Sequence, residues 1–306
     1  MALERSIEEM TSHVFITTKY LDGCLDTGSF GVTAAQLNYL ANVKIDDTVF
    51  LLETGSGRLV GPFTLTNALF HGSTSIWEKN DPFVNRVTFR GENAWESDIG
   101  SLWRVLLLRS VTDFYTFTTF QRSNVTLLPQ EGQRLAKTIA SDGRKIDPPL
   151  RANIRMERID LMKRDKGKFS SEARLETALL MNQSELKQVL IGEGLLSSTS
   201  SPFIINQITL PGTNYSVDIV LFSGKEVVVI ELKKDMVDQS TVDQLLRYGK
   251  YWELSGREVC LVSIGHRIVG SHEKINALSY SIDNRNGDLE IKGSRNSYSI
   301  PIQNTG

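Results

Sequence analysis

Cysteine and histidine are scarce in this chain of 306 residues, which has two cysteines and four histidines. The cysteines, Cys24 and Cys260, are too few for a disulfide framework or a cysteine-rich zinc site. Such low cysteine usage is typical of proteins from a reducing compartment. We therefore expect a cytoplasmic protein.

Long apolar runs are also missing from the sequence. No segment approaches the roughly 18 consecutive apolar residues that a membrane-spanning helix needs. The first ten residues, MALERSIEEM, are charged and have no apolar centre. We therefore expect neither a signal peptide nor a membrane partner.

Charge of one sign is not in large excess, because the formal net charge is -2. This balance excludes a globally basic nucleic-acid-binding protein but allows a local basic stripe. Between residues 121 and 170, twelve Lys and Arg side chains face six Asp and Glu side chains. This segment is also rich in turn-forming residues, which predicts a basic linker. It is either a solvated connection or a segment that contacts phosphates.

Patterning predicts two domains on either side of this linker, in a mixed α+β and α/β chain. Residues 1–120 read mostly as strands, including HVFITT, RVTFR and LWRVLLLRS, with a short helix over 33–42. Residues 171–306 alternate between helices and strands, which predicts an α/β core with a mixed sheet. The predicted helices here are SEARLETALLMNQSELKQVL, STVDQLLRYGKYWELS and SHEKINALSYSI.

A β-hairpin with unexpected charges lies at 217–234, VDIVLFSGKEVVVIELKK. Its turn centres on Gly224 and Lys225, because glycine in the first turn position suits a type II′ turn. Counting outward from the turn, Asp218 faces Glu231 across the two strands. Lys233 is two residues beyond Glu231 and therefore lies on the same side of the sheet.

Two opposed carboxylates on apolar strands are unfavourable unless something compensates their charge. A divalent cation would do so, because Mg²⁺ accepts one or two carboxylates together with water and substrate phosphate. The pattern thus predicts metal ligands at Asp218 and Glu231, with the Leu232 carbonyl as a further ligand. Lys233 would orient a water or stabilise charge on a phosphate. The alternative is an edge hairpin whose charged side chains form a surface ion network.

The region 171–270 resembles the nuclease domain of NucS-type enzymes in the PD-(D/E)xK superfamily, which has a restriction-endonuclease-like core. The resemblance rests on SEARLETALL, on the run NQITLPGTNYSVDIVLFSGKEVVVIELKK, and on VDQLLRYGKYW. It implies Mg²⁺ as the cofactor, for which Mn²⁺ can substitute, with metal ligands at Asp218 and Glu231. It implies a catalytic lysine at Lys233 and an active-site Gln244.

The resemblance also implies a catalytic glutamate on the first helix, for which Glu172 is preferred and Glu176 remains an alternative. Tyr248 follows Gln244 by one helical turn on the same face. The family has Gly-Arg before its Val-Asp pair, whereas this chain has Tyr215 and Ser216. Any role of that arginine is therefore not carried over.

The N-terminal region, over about residues 13–110, resembles the PUA-like superfamily near its EVE, YTH and DCD-type domains. The resemblance is carried by GSFGV and by DDTVFLLET with LVGPF. It implies a small β-barrel that holds a modified base in an aromatic pocket. Thr17, Thr18, Trp77 and Trp95 are the candidate base-binding residues, while Trp103 is expected in the core. Either tryptophan of the pocket could instead serve packing.

Together the two resemblances imply a Mg²⁺-dependent DNA endonuclease that cuts DNA carrying a modified base. Its partner would be double-stranded DNA, and a homodimer is expected if both strands are cut. Two alternatives remain at this point. One is a mismatch- or structure-specific repair endonuclease of NucS type, and the other is a catalytically inactive nucleic-acid-binding protein.

Overall fold

A computed structural model describes most of the chain. The described residues are 11–77, 81–106, 124–147, 149, 154–157, 159, 161, 164–165, 167–197, 202–210, 213, 215–254, 256–283 and 285–302. Judged by which Cα atoms lie close together, the chain forms two compact units, Met1–Ile159 and Asp160–Thr305. Among the helices of these residues, none has the length and apolarity to cross a membrane.

The first unit is built on a mixed sheet of ten strands. Its main path runs β10-β5-β6-β4-β3-β1-β8, with β2, β7 and β9 attached beside it. The pair β1/β3 is parallel and the other pairs are antiparallel. The strands are β1 (Ser12–Thr17), β2 (Ser29–Val32), β3 (Thr48–Glu53), β4 (Arg58–Leu65), β5 (Phe70–Gly72), β6 (Asn85–Arg90), β7 (Trp95–Asp98), β8 (Asn124–Leu127), β9 (Arg144–Lys145) and β10 (Met156–Glu157).

Among the described residues this sheet is curled into a half-barrel, which is a coarser result than the small β-barrel that the resemblance implies. Among its described residues the unit also contains three α-helices and one 3₁₀ helix. These are α1 (Leu21–Thr27), the 3₁₀ helix (Ala34–Leu40), α2 (Ile99–Leu106) and α3 (Pro129–Asp142).

The prediction of a strand for LWRVLLLRS was wrong in its described part. Residues up to Leu106 belong to helix α2, and residues 107–110 lie outside the described residues. Leu102 and Val105 are buried three positions apart, as on one stripe of a helix. A short apolar run does not distinguish a helix from a buried strand by its period alone, which explains the error.

Part of the basic segment 121–170 is folded in the first unit. Strand β8 pairs with β1, and helix α3 follows it. Leu135 and Ile139, one helical turn apart, are buried in a core cluster with Val14 and Phe50. These apolar residues anchor α3, whose Arg134 and Lys137 are exposed while Glu131 is buried. Residues 121–123 and 150–153 of the segment lie outside the described residues.

The second unit contains a seven-stranded mixed sheet in sequential order from β13 to β19. Here β15/β16 and β16/β17 are parallel, whereas the remaining pairs are antiparallel. A small separate hairpin pairs β11 with β12. The strands are β11 (Arg164–Asp165), β12 (Lys168–Phe169), β13 (Phe203–Thr209), β14 (Ser216–Ser223), β15 (Glu226–Val237), β16 (Glu258–Ile268), β17 (Ile275–Ile282), β18 (Leu289–Lys292) and β19 (Ser297–Ile300).

In the described part of this unit three helices accompany the sheet: α4 (Glu172–Met181), α5 (Gln183–Gly192) and α6 (Gln239–Glu253). Side-chain caps fix two of their starts, because Ser171 accepts from the Arg174 N–H and Asp238 accepts from the Thr241 N–H. The first predicted helix is divided at Asn182 into α4 and α5.

The prediction of a helix for SHEKINALSYSI was wrong, because residues Ile275–Ile282 form strand β17. Leu278, Tyr280 and Ile282 are buried while the residues between them are less so. This spacing of two is the period of a strand. The helix-forming residues at its start obscured that alternation in the sequence.

Candidate functional site

The hairpin of β14 and β15 has the predicted turn and register. Gly224 has φ +58°, as the first position of a type II′ turn requires. Ser223 pairs with Glu226 and Val220 with Val229, but the ladder ends at the pair Ile219/Ile230. The two strands thus stop pairing immediately before the positions of Asp218 and Glu231.

Where this ladder ends, a side chain accepts the backbone hydrogen bond that the next strand pair would have made. The Leu232 N–H donates to Asp218 Oδ2 at 2.8 Å. The carboxylate therefore replaces the backbone acceptor that an ordinary strand would supply. The N–H and C=O of one strand residue point the same way, so the Leu232 carbonyl is directed toward the same side as its N–H.

Glu231 is only 2% exposed, and its two carboxylate oxygens have different surroundings. Oε1 accepts from Lys233 Nζ at 2.7 Å, whereas Oε2 is buried and has no hydrogen-bond partner among the described residues. Ser263 stands beside Glu231 in the β15/β16 register, and in the described part of the chain its buried Oγ also lacks a partner. Unpaired buried oxygens are costly, and these two mark a place where a further polar group would be favourable.

The electrostatics of this cluster disfavour simultaneous ionisation of both carboxyl groups when no cation is bound. Burial raises the pKa of Asp218, and the Glu172 charge adds to the rise. Burial likewise raises the pKa of Glu231, and the Asp218 charge raises it further. Burial alone would lower the pKa of Lys233, but the charge and hydrogen bond of Glu231 outweigh it and raise that pKa. Lys233 therefore keeps its positive charge.

The two candidate glutamates of α4 have different environments. Glu172 is exposed, and its charge acts on Asp218, Glu231 and Lys233. Glu176 is 2% exposed and accepts hydrogen bonds from Asn206 at 3.0 Å and Gln207 at 2.7 Å. Of the two, Glu172 keeps the more accessible carboxylate.

Gln244 and Tyr248 of α6 are joined by a hydrogen bond from Gln244 Nε2 to Tyr248 Oη. Tyr248 Oη in turn donates to the Ser216 carbonyl at 2.9 Å, on the strand that carries Asp218. Burial raises the pKa of Tyr248 to about 12, and the charges of Glu231 and Asp218 contribute to the rise. Helix α6 is thus fixed to β14 two residues before Asp218.

The donor set can be compared with what a divalent cation needs. In the part of the chain that the structure describes, His, Cys, Asp and Glu side chains form no group of three or more with metal-binding geometry. Asp218, Glu231 and the Leu232 carbonyl offer two carboxylates and one neutral oxygen. This set fits Mg²⁺, which is held by few protein ligands and keeps several waters. The unpartnered Glu231 Oε2 supplies a free ligand position.

The predicted base-binding threonines lie at the end of β1. Thr17 Oγ1 accepts from the Tyr20 N–H at 3.2 Å, and the Thr17 carbonyl accepts from the Thr54 N–H at 2.9 Å. Thr18 is exposed. A Cβ at Gly55 would approach the Thr18 carbonyl oxygen to 2.7 Å, so a glycine is required in this turn.

Trp77 is half-buried and packs on two glycines of the first unit. A Cβ on Gly23 or Gly31 would come within 2.7 Å or 2.9 Å of its ring. The Phe83 ring meets it edge-on at 5.7 Å, and the Arg86 guanidinium lies 5.1 Å from its centroid. Much of the Trp77 ring is therefore in contact with protein.

Trp95 begins β7, where it pairs with Gly61 on one side and Lys145 on the other. Its side chain is partly buried against the core cluster of the first unit. Trp103, which was expected in the core, is half-buried on α2. Trp77 and Trp95 thus both combine packing with partial exposure.

Gln207 and Ser263 received no role from the sequence. Gln207 opens the Q-x-x-x-P pattern, whose Pro211 lies outside the described residues, and it donates to both Glu176 and Asp218. A glutamine within the apolar strand FIINQITL was the available signal. Ser263 is likewise a polar residue within an apolar stretch, CLVSIG. Its position beside Glu231, however, follows only from the parallel pairing of β15 and β16.

No protein-family model matches this chain, and no curated protein matches it. Among solved structures, the chain is similar to the structure of an EndoMS–dsDNA2 complex, with 14% sequence identity and a TM-score of 0.22. The alignment covers 40% of this chain and 44% of that chain. The chain therefore spans less than half the length of the structure that it matches.

Proposed function

We propose that this chain is a metal-dependent DNA endonuclease whose centre is formed by Asp218, Glu231 and Lys233. The observation that carries the proposal is the cluster at the open end of the β14/β15 ladder. It holds two carboxyl groups of raised pKa, a charged lysine, and a buried oxygen without a partner. Carboxyl groups with strongly shifted pKa values beside a charged lysine are typical of catalytic sites.

In the proposed reaction, each residue has a separate task. The Leu232 N–H holds the Asp218 carboxylate through its Oδ2. The Lys233 ammonium neutralises charge that develops on the phosphate or orients the attacking water. A Mg²⁺ bound by Asp218, Glu231 and the Leu232 carbonyl would supply Lewis-acid activation. Glu172 is the further carboxylate, and Gln244 supports the site through Tyr248.

The first unit is proposed to sense a modified base, with Thr17, Thr18, Trp77 and Trp95 as its pocket. Support comes from the resemblance of its sequence to PUA-like domains and from the partial exposure of both tryptophans. The exposed basic side chains of α3, Arg134 and Lys137, would add contacts to the phosphate backbone. Two copies of the chain would be needed to cut both strands of a duplex with one centre each.

A mismatch- or structure-directed repair nuclease is the second candidate. The packing of Trp77 favours it, because a ring that contacts Gly23, Gly31, Phe83 and Arg86 has less free face for stacking on a base. In this case the same centre would act on a distorted duplex and no base pocket would be required.

One cleavage assay distinguishes the candidates. The protein is incubated with Mg²⁺ and matched duplexes that contain plain, methylated, hydroxymethylated or glucosylated cytosine, or a mismatch. Cleavage limited to one modified duplex supports the sensor, and cleavage limited to the mismatch supports the second candidate. Lack of cleavage of every duplex with Mg²⁺ or Mn²⁺ would contradict the proposal of a nuclease.

The tryptophans test the sensor separately from the nuclease centre. We expect Trp77→Ala and Trp95→Ala to weaken binding of modified DNA by roughly tenfold to a hundredfold if they stack on the base, because stacking contributes about 1–3 kcal/mol. Slow, indiscriminate cutting should persist. A tryptophan that serves only packing would instead lower the melting temperature, since its truncation costs about 3–5 kcal/mol.

If both variants stay folded and discriminate between the duplexes as the unchanged protein does, the pocket is not formed by these residues.

A further inference from the structure

Gln207 has an unusual backbone conformation within strand β13. Its φ is +53°, and in the part of the chain that is described only Asp46 shares a positive φ without being glycine. Left-handed backbone disfavours residues with a Cβ, so a glutamine here is strained. Strain of this kind is retained where the side chain is needed.

The side chain of Gln207 connects two carboxylates that belong to different elements. Its Nε2 donates to Glu176 Oε2 on α4 at 2.7 Å and to Asp218 Oδ1 on β14 at 3.1 Å. Its Oε1 accepts from Ser216 Oγ at 3.4 Å. Both N–H groups and the carbonyl of the amide are therefore used.

The register shows where the strained residue lies. Asn206 pairs with Ile219 and Ile208 with Val217, so Gln207 stands opposite Asp218 across β13 and β14. The ladder skips this position, where the left-handed backbone interrupts the regular strand. The amide can thus reach Asp218 and Glu176 together.

We propose that Gln207 is a positioning residue that holds the Asp218 carboxylate in the orientation needed to bind a divalent cation. The inference rests on the proposed function and adds a residue to it. Asp218 then accepts one hydrogen bond on each oxygen, from Gln207 and from the Leu232 N–H, and keeps a lone pair on each for the metal. Outer partners of this kind typically control metal affinity.

The same contacts assign a supporting role to Glu176. Its two oxygens accept from Asn206 and Gln207, and the side chain is buried. Glu176 therefore anchors the amide of Gln207 and does not itself approach the cation. The carboxylates of Glu176 and Asp218 are kept apart by a group that donates to both.

The substitution Gln207→Gly removes the side-chain amide without straining the backbone, because glycine accepts a positive φ. Calorimetric titration with Mn²⁺ alone should show binding that is about tenfold to a hundredfold weaker than in the unchanged protein. The Mg²⁺ concentration for half-maximal cleavage should rise in parallel, whereas the KM for DNA should stay the same.

Asp46→Gly is the matched control, since it removes the other strained non-glycine residue and lies in the first unit. Its Mn²⁺ affinity should equal that of the unchanged protein. Gln207→Asn is the second variant and covers the case in which Gln207→Gly does not fold. Asparagine tolerates left-handed backbone and keeps an amide, but it is shorter, so it should also weaken Mn²⁺ binding.

The outcomes separate this inference from the proposed function. If the unchanged protein binds Mn²⁺ and the folded Gln207 variants bind it equally well, the positioning role is wrong and the nuclease proposal stands. If the unchanged protein binds no Mn²⁺ and cuts no DNA, the proposed function fails and the role of Gln207 fails with it.

Discussion

Two buried glutamates of the second unit have opposite surroundings. Glu193 is 5% exposed and accepts hydrogen bonds from Ser294 Oγ, the Arg295 and Asn296 N–H groups, and Tyr298 Oη. Glu231 is 2% exposed, but within the residues that the structure describes it accepts a hydrogen bond from Lys233 alone, and Oε2 accepts none.

The pKa values of the two side chains follow this difference. Burial acts on both in the same direction, yet the four hydrogen bonds of Glu193 lower its pKa below the ordinary value. At Glu231, burial and the charge of Asp218 act in the same direction and raise the pKa. A carboxylate that stabilises the fold is fully hydrogen-bonded, whereas the one proposed for chemistry is left with an open oxygen.

The largest effect is expected for Glu231→Gln. Loss of a metal ligand removes several kcal/mol of transition-state stabilisation, so cleavage should fall at least about a thousandfold. The metal-free protein should melt at the same temperature or higher, because a buried carboxyl group whose ionisation is unfavourable is removed. Asp218→Ala and Lys233→Ala should also abolish cleavage, as plasmid nicking assays with Mg²⁺ can show.

Cleavage at the unchanged rate by any of these three variants would contradict the assignment of the centre.

The opposite behaviour is expected for Glu193→Ala. Two backbone N–H groups and two hydroxyl groups lose their acceptor, which should lower the free energy of unfolding by about 3 kcal/mol. Cleavage per folded molecule at low temperature should not change. Urea unfolding followed by circular dichroism measures the first effect, and an unchanged unfolding midpoint would show that the hydrogen bonds of Glu193 do not stabilise the fold.

The pH dependence of stability should have opposite signs at the two glutamates. Because the folded-state pKa of Glu231 is raised, folded protein keeps a proton that the unfolded chain loses above about pH 4. Stability should therefore fall as pH rises from about 4 toward neutral, by up to about 1.4 kcal/mol per pH unit for one proton. Glu193 has a lowered pKa, so its stabilisation is present above about pH 4 and is lost as pH falls below that value.

Unfolding in EDTA across this range, with Glu231→Gln and Glu193→Gln compared with the unchanged protein, tests the two signs. Glu231→Gln should flatten the fall in stability toward neutral pH, and Glu193→Gln should flatten the loss in acid. A Glu231→Gln variant with the same pH profile as the unchanged protein would show that Glu231 ionises normally when buried.

The smallest effects are expected for two hydroxyl deletions beside these glutamates. Tyr298→Phe removes a hydrogen bond to Glu193 and should cost about 1 kcal/mol. Ser263→Ala removes a hydroxyl whose Oγ has no partner, and stability should be unchanged within about 0.5 kcal/mol. Equal losses for both variants would mean that the polar atoms near Glu231 are as well satisfied as those near Glu193.

The sequence predicted the hairpin best, because a turn signal and a period of two determine register by counting. The pairs Ser223/Glu226 and Val220/Val229 are confirmed. The same counting placed Asp218 opposite Glu231, but it could not show that the ladder ends before them. That ending depends on the Asp218 carboxylate replacing a backbone acceptor for the Leu232 N–H, which is a tertiary effect.

Other features could not be predicted from sequence patterns, and the reasons can be identified. Helix α2 was assigned the wrong type because a short apolar run has no decisive period, and strand β17 because helix-forming residues at its start obscured the alternation. The backbone of Gln207 was not predictable, since a positive φ is expected of glycine or asparagine. The parallel neighbours Glu231 and Ser263 come together only through the sheet order.

Anomalous diffraction from crystals soaked in Mn²⁺ tests the central claim most directly. We predict a peak within about 2.0–2.4 Å of carboxylate oxygens from both Asp218 and Glu231, with the Oε2 of Glu231 now coordinated. The same soak should place no Mn²⁺ at Glu193, whose oxygens are already hydrogen-bonded. Crystals that bind Mn²⁺ elsewhere, or not at all, while Asp218 and Glu231 remain uncoordinated, would contradict the assignment of this cluster as a metal-dependent nuclease centre.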